Sequence, residues 1–219
     1  MSTARTALFL ALALSAGTVL AQDVSKVNGS ITAEAGQTYG DLETVNGSIR
    51  IHEGATADDA STVNGSISVG EKAVTGGLET VNGGIKVDAN VTVNGSIETV
   101  NGSIFVDRGS NVKEDIETVN GAIGLVATQL GGGIETVRGD ITVGVDSRVR
   151  GGIKVTKSTG VFNIEPKRDP RVIIGPNAVV QGPLVFERPV KLYVHKTAKT
   201  GAVTGATAQS FDTPTAPKD

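Results

Sequence analysis

The chain has 219 residues, with 29 Gly, no Cys, no Trp and 3% aromatics, a length that suits one good-sized domain or two small ones. Without aromatic bulk the core must be filled by Val, Ile, Leu and Ala, and without cysteine there is no disulfide, thiolate metal site or thiol nucleophile. The formal net charge of −3 argues against nucleic acid as a partner.

In chain order, residues 1–21 read as a secretory signal peptide. Arg5 supplies a positive start, Ala7–Ala16 an apolar stretch, and "TVLA" ending at Ala21 a small-residue cleavage site. The apolar stretch is too short to span a bilayer comfortably. Cleavage would leave Gln22 at the N-terminus and, with Arg5 lost, a charge of −4. No cysteine follows the apolar stretch, so a lipid anchor is not expected. The processed chain is expected to be exported, with no transmembrane segment.

Residues 22–165 are repetitive. The valine of a V-N-G phrase stands at Val27, Val45, Val63 and Val81, then at Val100, Val119 and Val137, in steps of 18 or 19. An additional V-N-G-S-I copy starts at Val93. Within the period, apolar residues follow a six-residue beat, as in Ile51, Ala57, Val63, Val69. Six is no multiple of the helical 3.6, and β-branched residues beside Asn-Gly pairs disfavour helix. Alternation within the beat (Ile49-x-Ile51, Ile67-x-Val69, Ile85-x-Val87) has the period of a strand. The expected fold is all-β: a three-sided parallel β-solenoid of about 18 residues per turn, with handedness not read from these letters. About ten turns would make a rod on the order of 50 Å long.

Each column of such a coil is a ladder. The valine of V-N-G is read as a core beat, which leaves "LETV" (Leu42–Val45) in conflict with simple alternation. A bulge that turns both Leu42 and Val45 inward and Glu43 outward is the expected resolution. Asn28, Asn46, Asn64, Asn82, Asn101 and Asn120 form a column that ends in Arg138. Their amides can hydrogen-bond along the rod, Asn tolerates a left-handed turn, and the following Gly needs no Cβ clearance. A turn ladder explains this period better than an N-G-S glycosylation sequon does. Glu43, Glu79, Glu98, Glu117 and Glu135 form an acidic column, with Ser61 between the first two. Stacked carboxylates repel, raise one another's pKa or recruit cations. A solvated interaction face is the expectation, with no metal and no cofactor.

Residues 166–205 follow a polar, Pro-containing interruption, "NIEPKRDPR" (Asn163–Arg171), and resume the beat with the bulkier Phe186, Leu192 and Tyr193. They are expected to be closing turns that cap the rod. Lys167, Arg168 and Arg171 read as a solvated loop. Residues 206–219, rich in Thr, Pro and Ala, are expected to be a disordered tail. His52 and His195 are the only imidazoles, and neither sits in a recurring pattern with Ser and a carboxylate. No catalytic residue is assigned.

The repeated T-V-N-G-S-I phrase resembles the bacterial adhesin repeat family over Val27 to about Val143. The stretch "VIIGPNAVVQGPLVFERPVKLYVHKTAKTGAVTGA" is similar to bactofilins, the polymer-forming cytoskeletal β-solenoids. Both resemblances imply architecture, and neither supplies catalytic residues. Together with the signal peptide they imply an exported, non-catalytic scaffold in the periplasm or on the surface of a bacterium, adhesin-like or self-associating through its ends. Two alternatives stand beside it. One is a binding module for envelope polysaccharide or protein. The other is a hexapeptide-type acyltransferase, which would use a His, or a β-helix carbohydrate enzyme.

Overall fold

The computed structural model describes residues 21–157 and 168–217. The segment expected to be a signal peptide, up to Leu20, and Asn163–Lys167 of the interruption lie outside the described residues. The described chain forms a β-solenoid of three parallel sheets. Sheet 1 has ten strands, from Gln22–Asn28 and Tyr39–Asn46 through Ile97–Asn101 and Ile116–Asn120 to Val203–Thr204. Sheet 2 also has ten, from Ile31–Ala33 through Ile104–Val106 to Ala208–Phe211. Sheet 3 has seven short strands, from Val74–Thr75 to Lys199–Thr200. It is prolonged toward the N-terminus by single bridges Thr38–Thr56 and Thr56–Val74. Nine strand-to-strand steps of about 4.8 Å make a rod on the order of 43 Å long.

Identical residues stack on identical residues. Ile31, Ile49, Ile67, Ile85, Ile104, Ile123 and Ile141 form one buried column of sheet 2. The repeat is 18 residues from Asn28 to Asn82 and 19 from Asn82 to Asn120. The extra residue enters at the corner from sheet 3 to sheet 1, where Gly76-Gly77 gives way to Asn94-Gly95-Ser96. The additional V-N-G-S-I copy therefore builds this corner. Its Val93 is buried, whereas Val100 of the regular phrase is 39% exposed.

That contrast corrects the inward assignment of the repeat valine. Val27, Val45, Val63, Val100 and Val119 all face solvent, Val27 at 68% exposed. From Val45 onward the residue before each is a buried threonine, as is Thr80 before Val81 at 1% exposed, whereas Val27 follows the exposed Lys26. No bulge interrupts Leu42–Val45: the register with the next strand runs on through Leu42–Ala60, Glu43–Ser61 and Thr44–Thr62. Plain alternation holds, with Leu42 and Thr44 inward and Glu43 and Val45 outward. A buried hydroxyl would be costly alone, but each has a partner one turn back. Thr44 donates to the Gly29 carbonyl at 3.0 Å, Thr62 to Gly47 at 2.9 Å and Thr80 to Gly65 at 2.8 Å.

The Asn-Gly corner differs in one respect from expectation. The stacked asparagines are not left-handed; the non-Gly residues with positive φ are Lys72, Asn90, Ala127, Asp146 and Asn177, at the corner between sheets 2 and 3. The asparagines serve the ladder instead, Nδ2 to Oδ1 at 2.9–3.1 Å from Asn28 to Asn120. The glycine is required by close stacking: a Cβ on Gly65 would lie 1.9 Å from the Gly47 carbonyl oxygen.

The stack crosses the interruption, since Ile141–Val143 pairs directly with Arg171–Ile174. It also extends past residue 205. Ala208–Phe211 is a strand on Lys191–His195, where a disordered tail from residue 206 was expected. The reason is Phe211, whose ring is buried edge-on against His195 with centroids 5.1 Å apart. The interruption is likewise pinned where it rejoins the coil, not simply solvated. Arg168 forms a two-pronged pair with Asp140 at 2.7 and 2.9 Å, and Arg171 lies over the Tyr193 ring. Among the described residues no helix is long and apolar enough to cross a membrane.

Candidate functional site

The outward side of sheet 1 carries two parallel ladders, because residues two apart on a strand share a face. One holds Ser25, Glu43, Ser61, Glu79, Glu98, Glu117 and Glu135, in register strand by strand, and continues as Lys154. The other is the valine ladder, displaced from the core by the threonines. Acid and aliphatic rows lie side by side, and a shallow groove of about 210 Å³ between them is lined by Glu79, Glu98, Glu117 and Glu135 with Val100, Val119 and Val137. This face brings all five glutamates singled out in the sequence into one line.

Polar groups moderate the acid ladder at its ends. Ser25 donates to Glu43 at 3.2 Å, and the Lys154 ammonium lies 3.5 Å from Glu135. In the middle, Glu117 has its carboxyl pushed up from the ordinary value, first by partial burial and then by the charges of Glu135 and Glu98. A stacked acid row with an apolar row beside it suits a partner surface that is cationic and aliphatic.

A second acidic row, missed in the sequence, runs along the corner into sheet 1. Asp23 accepts from the Asp41 backbone N–H, Asp41 from Asp59, and Asp59 from Gly77 at 2.6 Å. Its 18-residue spacing was visible in the letters, but its work is structural: each carboxylate caps an N–H of the next turn. Beside it a depression is lined by Asp59, Ser61, Glu79, Glu98 and Glu114.

The two imidazoles do not come together. His52 is exposed in the turn after Ile49–Ile51, while His195 is tucked under Phe211 with Nδ1 2.9 Å from the Thr197 hydroxyl. Neither lines the groove between the glutamate and valine ladders or the depression beside Asp59. Among the described residues no group of three or more His, Asp or Glu is placed to hold a metal ion.

No family model, no curated protein and no solved structure matches this chain. The β-solenoid is established by the structure, and the adhesin-repeat and bactofilin resemblances rest on their quoted letters alone.

Proposed function

We propose that the chain is an exported, non-catalytic β-solenoid scaffold of the bacterial cell envelope, adhesin-like and self-associating. The observation that carries this reading is the outward side of sheet 1, a straight face on which an acid ladder and an aliphatic ladder run together. Exposed apolar rows beside aligned charge are features of interaction surfaces. The strands from Ala60–Asn64 to Ile153–Val155 of this sheet carry no aromatic ring on which a sugar could stack, which favours a protein partner over a polysaccharide.

The test is fractionation of expressing cells into cytoplasm, periplasm, outer membrane and medium, with N-terminal sequencing of the recovered chain. Export predicts recovery outside the cytoplasm with Gln22 first; a cytoplasmic chain beginning at Met1 overturns it. Binding to isolated envelope material, weakened when Glu79, Glu98 and Glu117 are all replaced by Gln, supports the adhesive role. Equal binding by that variant removes the acid ladder from it.

A further inference from the structure

The two ends of the rod carry opposite charge. Residues 22–135 hold 16 acidic and 6 basic side chains, whereas residues 136–219 hold 7 acidic and 13 basic, so the small overall charge hides segments of −10 and +6. The contrast persists at the tips. Residues 22–46 contain Asp23, Glu34, Asp41 and Glu43 against Lys26 alone. Residues 188–211 contain Arg188, Lys191, Lys196 and Lys199 and no acid.

Among the described residues both tips are sheet edges. Gln22–Asn28 and Ile31–Ala33 are the outermost strands at one end, Val203–Thr204 and Ala208–Phe211 at the other. An edge strand presents unpaired backbone groups that a further strand can satisfy. The chain after Phe211 turns back from the tip, since the Arg171 guanidinium donates to the Pro217 carbonyl two strands away. Asp212 meanwhile pairs with Lys196.

We propose that copies of this chain associate head to tail, the acidic N-terminal edge of one stacking on the basic C-terminal edge of the next. The inference rests on the self-associating scaffold reading and adds its polarity. Joining two N-terminal tips would oppose acid to acid, and joining two C-terminal tips base to base; only the head-to-tail junction pairs opposite charges. It also continues the parallel ladders, whereas a two-fold junction would bring strands together antiparallel. Because the contact is heterologous and coaxial, it does not close, and the product is an open filament.

The register fixes a pair to test. Ser25 heads the glutamate column, and Thr204 ends the same column through Lys154 and Val185. Across a head-to-tail junction Thr204 of one copy and Ser25 of the next become neighbours about 4.8 Å apart, within disulfide range. Both are exposed, and the chain has no native cysteine. Full-length Ser25→Cys and Thr204→Cys proteins are oxidised separately and mixed, and the native chain is sized by light scattering over a range of concentration and salt. The expected result is a disulfide-linked pair only in the mixture, and a native mass that grows with concentration and falls in 0.5 M salt, the Debye length shrinking to about 4 Å. Efficient cross-linking of Ser25→Cys alone or Thr204→Cys alone overturns the polarity while leaving self-association intact. Growth in mass without the mixed disulfide assigns association to the faces and also overturns the proposal. A strict monomer throughout overturns self-association itself, and export and envelope binding are then judged by fractionation.

Discussion

The Thr99 hydroxyl donates to the Gly83 carbonyl at 2.9 Å, joining two successive turns from inside the rod. Thr99 is buried and its neighbour Val100 is 39% exposed, the reverse of their hydropathy. Thr99→Val keeps the shape and leaves the Gly83 carbonyl without this donor, at an expected cost of about 1–3 kcal/mol. Val100→Thr alters only the outer face and should stay within about 0.5 kcal/mol. Urea midpoints of the two variants check the pair, and a larger loss for Val100→Thr would place the valine inside.

Two glycines in different corners should respond differently. A Cβ on Gly102 would stand 1.8 Å from the Gly83 carbonyl oxygen, a clash with backbone that cannot swing away. Gly102→Ala should cost about 3 kcal/mol or more, or prevent folding. Gly54 has open space around it and a φ of +65°, at the corner where Lys72 and Asn90 take the same conformation. Gly54→Asn should therefore cost less than about 1 kcal/mol. Thermal unfolding followed by far-UV circular dichroism ranks them.

The coil was legible because its period is carried by Ile, Val, Asn and Gly, whose ladders repeat every 18 or 19 residues. Which side of sheet 1 faces inward was not legible from hydropathy, since Val outranks Thr whenever each is weighed alone. The deciding partner of Thr99 lies sixteen residues back. Leu42 held the signal, because alternation counted from a leucine places Thr44 inward. The end of the rod was misplaced for a similar reason: Phe211 stands among Thr, Ala and Pro, and its burial depends on His195, reached only through the stacking of Ala208–Phe211 on Lys191–His195. The charge asymmetry was present in the letters but cancelled in the total.

Glu117 gives the fold an unusual pH dependence. Burial and the flanking Glu135 and Glu98 raise its folded pKa above the unfolded value, so the folded state binds this proton more tightly. Its contribution therefore improves as pH falls from neutral through that raised value, and is complete below the ordinary glutamate range of about 4.3. Glu117→Gln should raise the Tm at pH 7 and flatten its change as the pH falls from 7 to about 4. Melting curves of both proteins across that range decide it, and an unchanged Tm at pH 7 would show that the ladder is fully screened by water.

Asp140 works in the opposite sense. Burial pushes its carboxyl up, but hydrogen bonds from the Arg168 guanidinium and the Arg171 backbone, with both positive charges, outweigh that and hold it below the usual aspartate value. Its stabilisation is present above the unfolded pKa of about 3.9 and is lost as pH falls through the lower folded one. At neutral pH the pair fastens the returning chain at Arg168 to the turn that holds Asp140, beside the junction of Ile141–Val143 with Arg171–Ile174. Asp140→Asn removes the charge and one acceptor oxygen, and the carboxylate is partly exposed, so the loss is about 1 kcal/mol. That is small against the whole rod and large for one segment, because local opening is governed by local contacts. Trypsin should cut after Arg168 several-fold faster in Asp140→Asn than in the native chain at pH 7, with the Tm nearly unchanged. Equal cutting rates would mean that the stacking of Arg171 on Tyr193 and the strand pairing hold the segment without the aspartate.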